Sequence, residues 1–428
     1  MKELLVFQGP CSSRSGYGDH SRDLVRSLIA MDKFDIKIID LRWGDCPRNS
    51  LSDRDTDISS RILSSNLDRQ PDIFVQVSVP NEFQPIGKFN IGITAGIETT
   101  VCAPEWIEGC NRMDCIITVS EHSKNGFIRS KYDKVQNLPN GQQQKVGEHK
   151  LEKPIEVLFE GADEDIYKPL HHKEIDTEFF DWLNNEVPEK FAFLMVGLWG
   201  KGGFGEDRKD IGRLVKLFYE TFANRKKQPA LILKTNGATF SILDKAECIQ
   251  KIEHIKSMFP ADVKLPNVYI LHGDLTTKEM NYLYNHPKVK CMVSLTHGEG
   301  FGRPLLEATM TGIPVIAPAY SGQLDFLNKD ESILLGGDMN KIPESAVWED
   351  ILIPESQWIT VEENNARSAL DYMYNNHGEW KTNANKLMIK NRKKFTRENM
   401  TKELDKILDE HLKFEVKVNL PKLKKVEG

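Results

Sequence analysis

Two glutamates, Glu299 and Glu307, stand eight residues apart in the run Gly298-Glu299-Gly300-Phe301-Gly302-Arg303-Pro304-Leu305-Leu306-Glu307. On one continuous helix eight residues overshoot two turns by most of a right angle, so the pair is not a stripe on a single helix face. The spacing predicts a loop carboxylate, Glu299, followed by a helix that carries Glu307. Pro304 suits the first helical position, where a missing N–H costs nothing, and Gly312 suits the residue just past the helix end. Gly300 and Gly302 let the backbone approach a ligand closely and aim bare N–H groups at it. Two carboxylates suit the hydroxyls of a sugar and a ribose, and amides at a helix start suit phosphate. The combination points to nucleotide-sugar chemistry in a solvent-lined site.

Such chemistry leaves a diphosphate whose developing negative charge needs fixed cations and dipoles. The segment from Val196 to Lys209 follows an apolar run, carries five glycines, and ends in Arg208 and Lys209, a planar fork beside a point charge. Lys201 is a third cation in the same loop. Lys234 and Gly273 end two neighbouring strands, in Lys234-Thr235-Asn236-Gly237 and His272-Gly273-Asp274, where a base or ribose would lie. Near the start, the loop from Gly9 to His20 holds Gly16 and Gly18 between a strand and a helix. Glu98, in Gly96-Ile97-Glu98-Thr99-Thr100, ends another strand of the first half and could meet the sugar or its acceptor. No Asp-x-Asp pair follows a suitable strand, so no metal site is expected.

The elements that must position these residues alternate short apolar strands with helical stretches, which predicts parallel α/β layers. Candidate strands in the first half are Leu4–Gln8, Ile36–Leu41, Ile73–Val77, Ile91–Thr94, Cys115–Val119 and Ile155–Phe159. In the second half they are Phe191–Val196, Ala230–Leu233, Val268–Leu271, Cys291–Leu295, Val315–Ala317 and Ser332–Leu335. Two such sets imply two Rossmann-like domains facing across a cleft. The polar stretch Asp163–Lys190 separates them, giving residues 1–175 as an N-terminal domain and 176–395 as a C-terminal one. Thr276 and Glu279 form a capping box, stapled by Leu275 and Met280. Met400, Leu404, Ile407, Leu408 and Leu412 line one side of a helix over Thr396–Leu412. Lys422, Lys424 and Lys425 read as a solvated end.

A chain of 428 residues exceeds one core, which agrees with two domains. The net charge of −6 gives no global pull toward nucleic acid or anionic lipid. Seven cysteines, without CxxC spacing, read as buried thiols and predict a cytoplasmic protein. No apolar run approaches a membrane span, and the acidic first residues do not read as a signal peptide.

The run from Glu299 to Glu307 resembles the E-x7-E element of retaining glycosyltransferases of the GT-B fold, in particular the GT4 family. The resemblance is strong over residues 190–330 and weak before them. It implies a donor held mainly by the C-terminal domain and an acceptor on the N-terminal one, with the C-terminal segment 396–428 crossing back to complete the N-terminal domain. By that resemblance Glu299, Arg208, Lys209 and Glu98 form the catalytic set. The backbone of Gly300, Phe301 and Gly302 holds the sugar, Glu307 the ribose, and Lys234, Gly273, Gly16 and Gly18 complete the donor site. It also implies transfer with retention of configuration, without metal or separate cofactor, from a UDP-sugar ahead of a GDP-sugar. The acceptor would bear a hydroxyl on a glycan, glycolipid or small molecule. It would be anionic if Arg14, His20, Arg22, Lys124, Arg129 and Lys131 converge on the cleft. The sequence departs from the family pattern twice: no histidine stands near Glu98, and Glu160 replaces an asparagine in Glu160-Gly161-Ala162-Asp163. A phage-type DNA glycosyltransferase, a GT-B sugar-nucleotide epimerase and a non-catalytic nucleotide-sugar binding protein remain as alternatives.

Overall fold

The structure, a computed structural model, describes residues 2–137, 143–237 and 241–412. The first sheet is built from β1 (Leu4–Gly9), β2 (Asp35–Asp40), β3 (Ile73–Val77), β4 (Phe89–Thr94) and β5 (Cys115–Thr118). After β5 the chain makes an antiparallel ribbon of β6 (Lys131–Asn137) and β7 (Gln143–Lys150), then returns as β8 (Ile155–Val157). The sheet is parallel throughout, in the order β2-β1-β3-β4-β5-β8. Its helices are α1 (Gly16–Met31), the short α2 (Thr56–Ser59), α3 (Pro104–Arg112) and α4 (Glu121–Arg129). All five residues of β3 are buried, as expected of a parallel strand covered on both faces.

The second unit opens with α5 (Thr177–Glu186). It continues as β9 (Ala192–Val196), α6 (Ile211–Phe222), β10 (Ala230–Lys234), α7 (Ile242–Lys256), β11 (Val268–Leu271), α8 (Thr277–Asn285), β12 (Val289–Val293), α9 (Arg303–Met310), β13 (Val315–Pro318) and β14 (Ile333–Leu335). These strands form a second parallel sheet, β11-β10-β9-β12-β13-β14. An antiparallel pair follows, β15 (Gly337–Lys341) with β16 (Gln357–Val361). The chain ends in the long α10 (Glu363–Lys394) and in α11 (Arg397–His411). The architecture is therefore the expected α/β one of two Rossmann-like units.

The unit cores follow the sequence pattern closely. Leu214, Val215, Leu217, Phe218 and Phe222 of α6 pack on Phe193, Leu231 and Cys291 of the second sheet. The Thr276 capping box is formed, with Glu279 N donating to Thr276 Oγ1 at 3.2 Å and Thr276 N to Glu279 Oε2 at 2.7 Å. Helix α11 crosses back: Met400, Leu404, Ile407 and Leu408 pack with Leu24 and Leu28 of α1 in the first core. The two crossings lie side by side, Ala162 N donating to Phe395 O and Arg397 N to Ala162 O, both at 2.9 Å. A Cβ on Gly161 would meet Thr396 O at 2.6 Å, so that crossing requires glycine. All seven cysteines are free, and all but Cys46 are buried. Among the described residues no helix is long and apolar enough to cross a membrane. The lysine-rich end with Lys422, Lys424 and Lys425 lies outside the described residues.

Candidate active site

In an open parallel sheet, ligands gather beyond the carboxyl ends of the strands where the strand order reverses. In the second sheet that point lies between β9 and β12. The loop after β9 delivers Arg208 and Lys209, and the loop after β12 delivers Glu299. The three meet. Lys209 Nζ stands 2.5 Å from Glu299 Oε1, and Arg208 Nη1 3.2 Å from Glu299 Oε2. Arg208 Nη1 also donates to Gly298 O at 2.9 Å. Across the cleft, Glu98 of the first unit comes within 3.4 Å of Arg208 Nε. Burial opposes ionisation of Glu299, but Lys209 and Arg208 outweigh it and hold the carboxyl below its ordinary range.

The two loops are clamped by residues that the sequence did not mark. His297 N and Thr296 Oγ1 donate to Arg208 O at 2.8 and 3.2 Å. The His297 ring stacks on Trp358 with centroids 4.4 Å apart, and its Nδ1 lies 2.6 Å from Ile359 O. Glu299 N donates to Ser321 Oγ at 2.9 Å. The only early signal of this clamp was that His297 adjoins Gly298. Its stacking partner lies far along the chain, beyond the reach of any local pattern.

Helix α9 begins at Gly302, whose φ of 96° is a left-handed conformation, and Gly312 follows its end with φ 74°. Pro304 occupies the second helical position, one later than expected. Glu307 sits on this helix but is not solvent-lined. It is buried, with Oε1 3.0 Å from Arg303 Nε and Oε2 3.4 Å from the Tyr284 hydroxyl. Arg303 continues across the cleft to Asp23 of α1 at 2.6 Å. Burial raises Glu307 to about 7, against the pull of Arg303, and burial raises Glu160, in the same acidic surround, to about 7.

Several expected ligand contacts are internal instead. Gly298 and Gly300 do leave room for a close approach, but by the other unit. A Cβ on Gly298 would meet Glu98 O at 2.1 Å, and one on Gly300 would meet Ala95 O at 2.4 Å. Ser120 Oγ donates to Gly300 O at 2.6 Å. The Phe301 side chain packs among Phe326 and Phe395, which leaves only its backbone for the cleft. Lys234 Nζ donates to Gly273 O at 2.6 Å, which uses one of its three N–H donors. Gly273 takes a left-handed φ of 101° and donates its N–H to Asn236 Oδ1 at 2.9 Å. Gly16 opens α1, and a Cβ on Gly18 would meet Ser13 O at 2.1 Å. Among the cations considered for an anionic acceptor, Arg14 pairs with Asp274 across the cleft at 3.1 Å. Arg22 braces the β1–α1 loop through Cys11 O at 2.7 Å and Ser13 O at 3.0 Å, and pairs with Asp19. His20 is buried without a partner at either ring nitrogen, and burial lowers it to about 4. Arg14 thus helps to close the cleft and Arg22 holds the loop before its own helix.

A family model described as Glycosyl transferases group 1 matches residues 260–340, the segment that contains Glu299 and Glu307. No curated relative matches the sequence. Among solved structures the chain is similar to sucrose-phosphate synthase from Thermosynechococcus elongatus, at 11% identity and a TM-score of 0.63, over 96% of this chain and 99% of that one. It is similar to a glycosyltransferase from Rickettsia africae at 13% identity and a TM-score of 0.61, over 97% and 100% of the two chains. It is also similar to Anabaena HepE in complex with UDP and glucose, at 12% identity and a TM-score of 0.57, over 95% and 99%. At such identities the likeness establishes architecture. The chain has the GT-B fold, and its segment 260–340 matches the group 1 glycosyltransferase model.

Proposed function

We propose that this protein transfers a sugar from a UDP-sugar to a hydroxyl acceptor, with retention of anomeric configuration and without a divalent metal. The observation that carries this reading is the meeting of Arg208, Lys209 and Glu299 at the switch point of the second sheet, facing Glu98. The group 1 match over this segment and the UDP- and glucose-bound relative of the same fold support it. In this reading the diphosphate docks against Arg208 and Lys209, whose charges count most as the leaving group becomes more negative. Glu299 then exchanges part of its ion pair for hydroxyls of the sugar. The departing phosphate takes the acceptor proton on the face it leaves, so configuration is kept.

Incubation of the protein with UDP-glucose, with and without a panel of hydroxyl acceptors (methyl glycosides and short oligosaccharides), tests the reading, with NMR following anomeric configuration and free UDP. Release of UDP with an α-configured product supports it. Interconversion of sugar epimers would establish an epimerase, and tight binding without turnover a binding protein. Turnover is expected to persist in excess EDTA, and a loss restored by Mg²⁺ or Mn²⁺ would refute the metal-free assignment.

Glu307 adds a pH dependence. Below about 7 its carboxyl is protonated and above that value ionised. Ribose hydroxyls donate best to the ionised form, which accepts at both oxygens. Donor affinity is therefore expected to strengthen between pH 6 and 8, and Glu307→Gln to flatten that dependence. Calorimetric titration with UDP at several pH values checks it. A wild-type affinity that does not change with pH would remove Glu307 from the ribose.

A further inference from the structure

Between the two strands of the antiparallel pair, β15 and β16, the chain makes an excursion over residues 342–356. Ile342, Ala346 and Trp358 form its small core, with Val347 and Leu352 packed against them. The excursion touches both loops that carry the reactive groups. On one side Ser345 Oγ bonds the Glu206 carboxylate and accepts from Gly203 N at 3.3 Å, in the loop leading to Arg208. On the other, Ser356 Oγ accepts from Val101 N at 3.2 Å, and Thr100 exchanges hydrogen bonds with Gln357 at 3.0 Å, just beyond Glu98. Ile351 and Ile353 pack on the cluster of Ile97, Cys102 and Trp106. The excursion thus bridges the two walls of the cleft beside Arg208 and Glu98.

Trp348 stands on this bridge and is 63% exposed, although Val347 and Leu352 beside it are drawn into the small core. Its backbone is held firmly. Trp348 N donates to Leu352 O at 3.1 Å, Leu352 N to Trp348 O at 2.8 Å, and Asp350 closes the turn with a left-handed φ of 61°. Glu349 is exposed and Asp350 half-buried. The excursion holds four carboxylates, Glu344, Glu349, Asp350 and Glu355, and no lysine or arginine.

We infer that Trp348 is the stacking platform for a neutral pyranose unit of the acceptor, with Glu349 and Asp350 accepting its hydroxyls. This rests on the glycosyl-transfer reading above and assigns its acceptor class. The negative face of an indole attracts the positively polarised C–H face of a sugar ring, and a rigid aromatic side chain loses little entropy in doing so. Carboxylates suit the ring hydroxyls. The same four acids repel phosphate, which sets this surface against nucleic acid and against the diphosphate end of the donor.

The test uses the intact protein with maltotriose, cellotriose and mannotriose as probes, observed by saturation-transfer NMR, in wild type and in the Trp348→Ala and Trp348→Phe variants. Binding of at least one trisaccharide is expected. Trp348→Ala should weaken it about tenfold and Trp348→Phe markedly less, while the melting temperatures stay close to wild type. The proposal is overturned if no trisaccharide binds, if Trp348→Ala binds as wild type does, or if a short DNA duplex binds instead and loses affinity in Trp348→Ala. Saccharide binding needs no turnover, so it judges this assignment separately. Absence of UDP-glucose turnover in wild type would strike the transfer reading alone.

Discussion

Lys209→Ala is expected to lower kcat with a UDP-sugar by about 10²–10³-fold, with a much smaller change in donor KM. Lys209 reaches Glu299 at 2.5 Å from the loop after β9, at the point where the strand order reverses. A donor bound there places its diphosphate against the ammonium, and that attraction grows as the glycosidic bond breaks. Steady-state kinetics across a donor series separate the two parameters. Equal losses in both would mean that Lys209 binds donor and transition state alike. The variant should still fold, because Arg208 Nη1 remains 3.2 Å from the same carboxylate and keeps Glu299 paired. A melting curve run beside the kinetics establishes that the rate loss is chemical.

Arg303→Leu is expected to have the largest effect on stability, about 3–5 kcal/mol, because it leaves buried carboxylates without their cation. Arg303 lies between Glu307 on its own helix, at 3.0 Å, and Asp23 on α1 of the other unit, at 2.6 Å. Asp19 and Glu160 also face it, and the ensemble holds the guanidinium well above its ordinary range despite burial. Asp23→Asn should cost less, since the amide oxygen still accepts from the guanidinium. Thermal melting of the two variants and wild type checks the order. An Arg303→Leu protein as stable as wild type would show that Asp23 and Glu307 find other partners. The same substitution removes one of the three ion pairs that, among the described residues, join the units across the cleft, beside Arg14–Asp274 and Arg208–Glu98.

Glu299 and Glu307 illustrate how far local reading reaches. Their loop-then-helix placement was legible because Gly302, Pro304 and Gly312 each act on the backbone within a turn of chain. What surrounds them was not. Glu307 was expected in a solvent-lined position, yet Arg303 and Tyr284 enclose it. Gly300 reads as room for a ligand, yet on its Cβ side the space is held by Ala95 O of the other unit, 2.4 Å from where a Cβ would stand. Lys234 has the type and position of a donor contact, and that one of its three N–H groups goes to Gly273 O is set by the neighbouring strand end rather than by any local pattern.

By itself the sequence determined the two sets of parallel strands, because a strand covered on both faces is apolar along most of its length, as Ile73–Val77 is apart from Gln76. It also determined the Thr276 helix start and the apolar face of α11, whose positions repeat at helical spacing, while the packing of that face on the first unit belongs to the tertiary structure. It did not reveal the ribbon β6–β7, where Val135 and Val146 are exposed and no alternation of apolar and polar residues marks a buried face. It placed β12 at Cys291–Leu295 rather than Val289–Val293, because Ser294 and Leu295 are buried, Leu295 in the core of the second unit, without joining the strand. Only the tertiary structure decided which charges meet. Arg303 and Asp23 are 280 residues apart, and Trp358 reaches His297 from beyond the whole of β13 to β15. Local periodicity reports which face of an element is buried. Which faces come together depends on the packing of two units, and that information is spread along the entire chain.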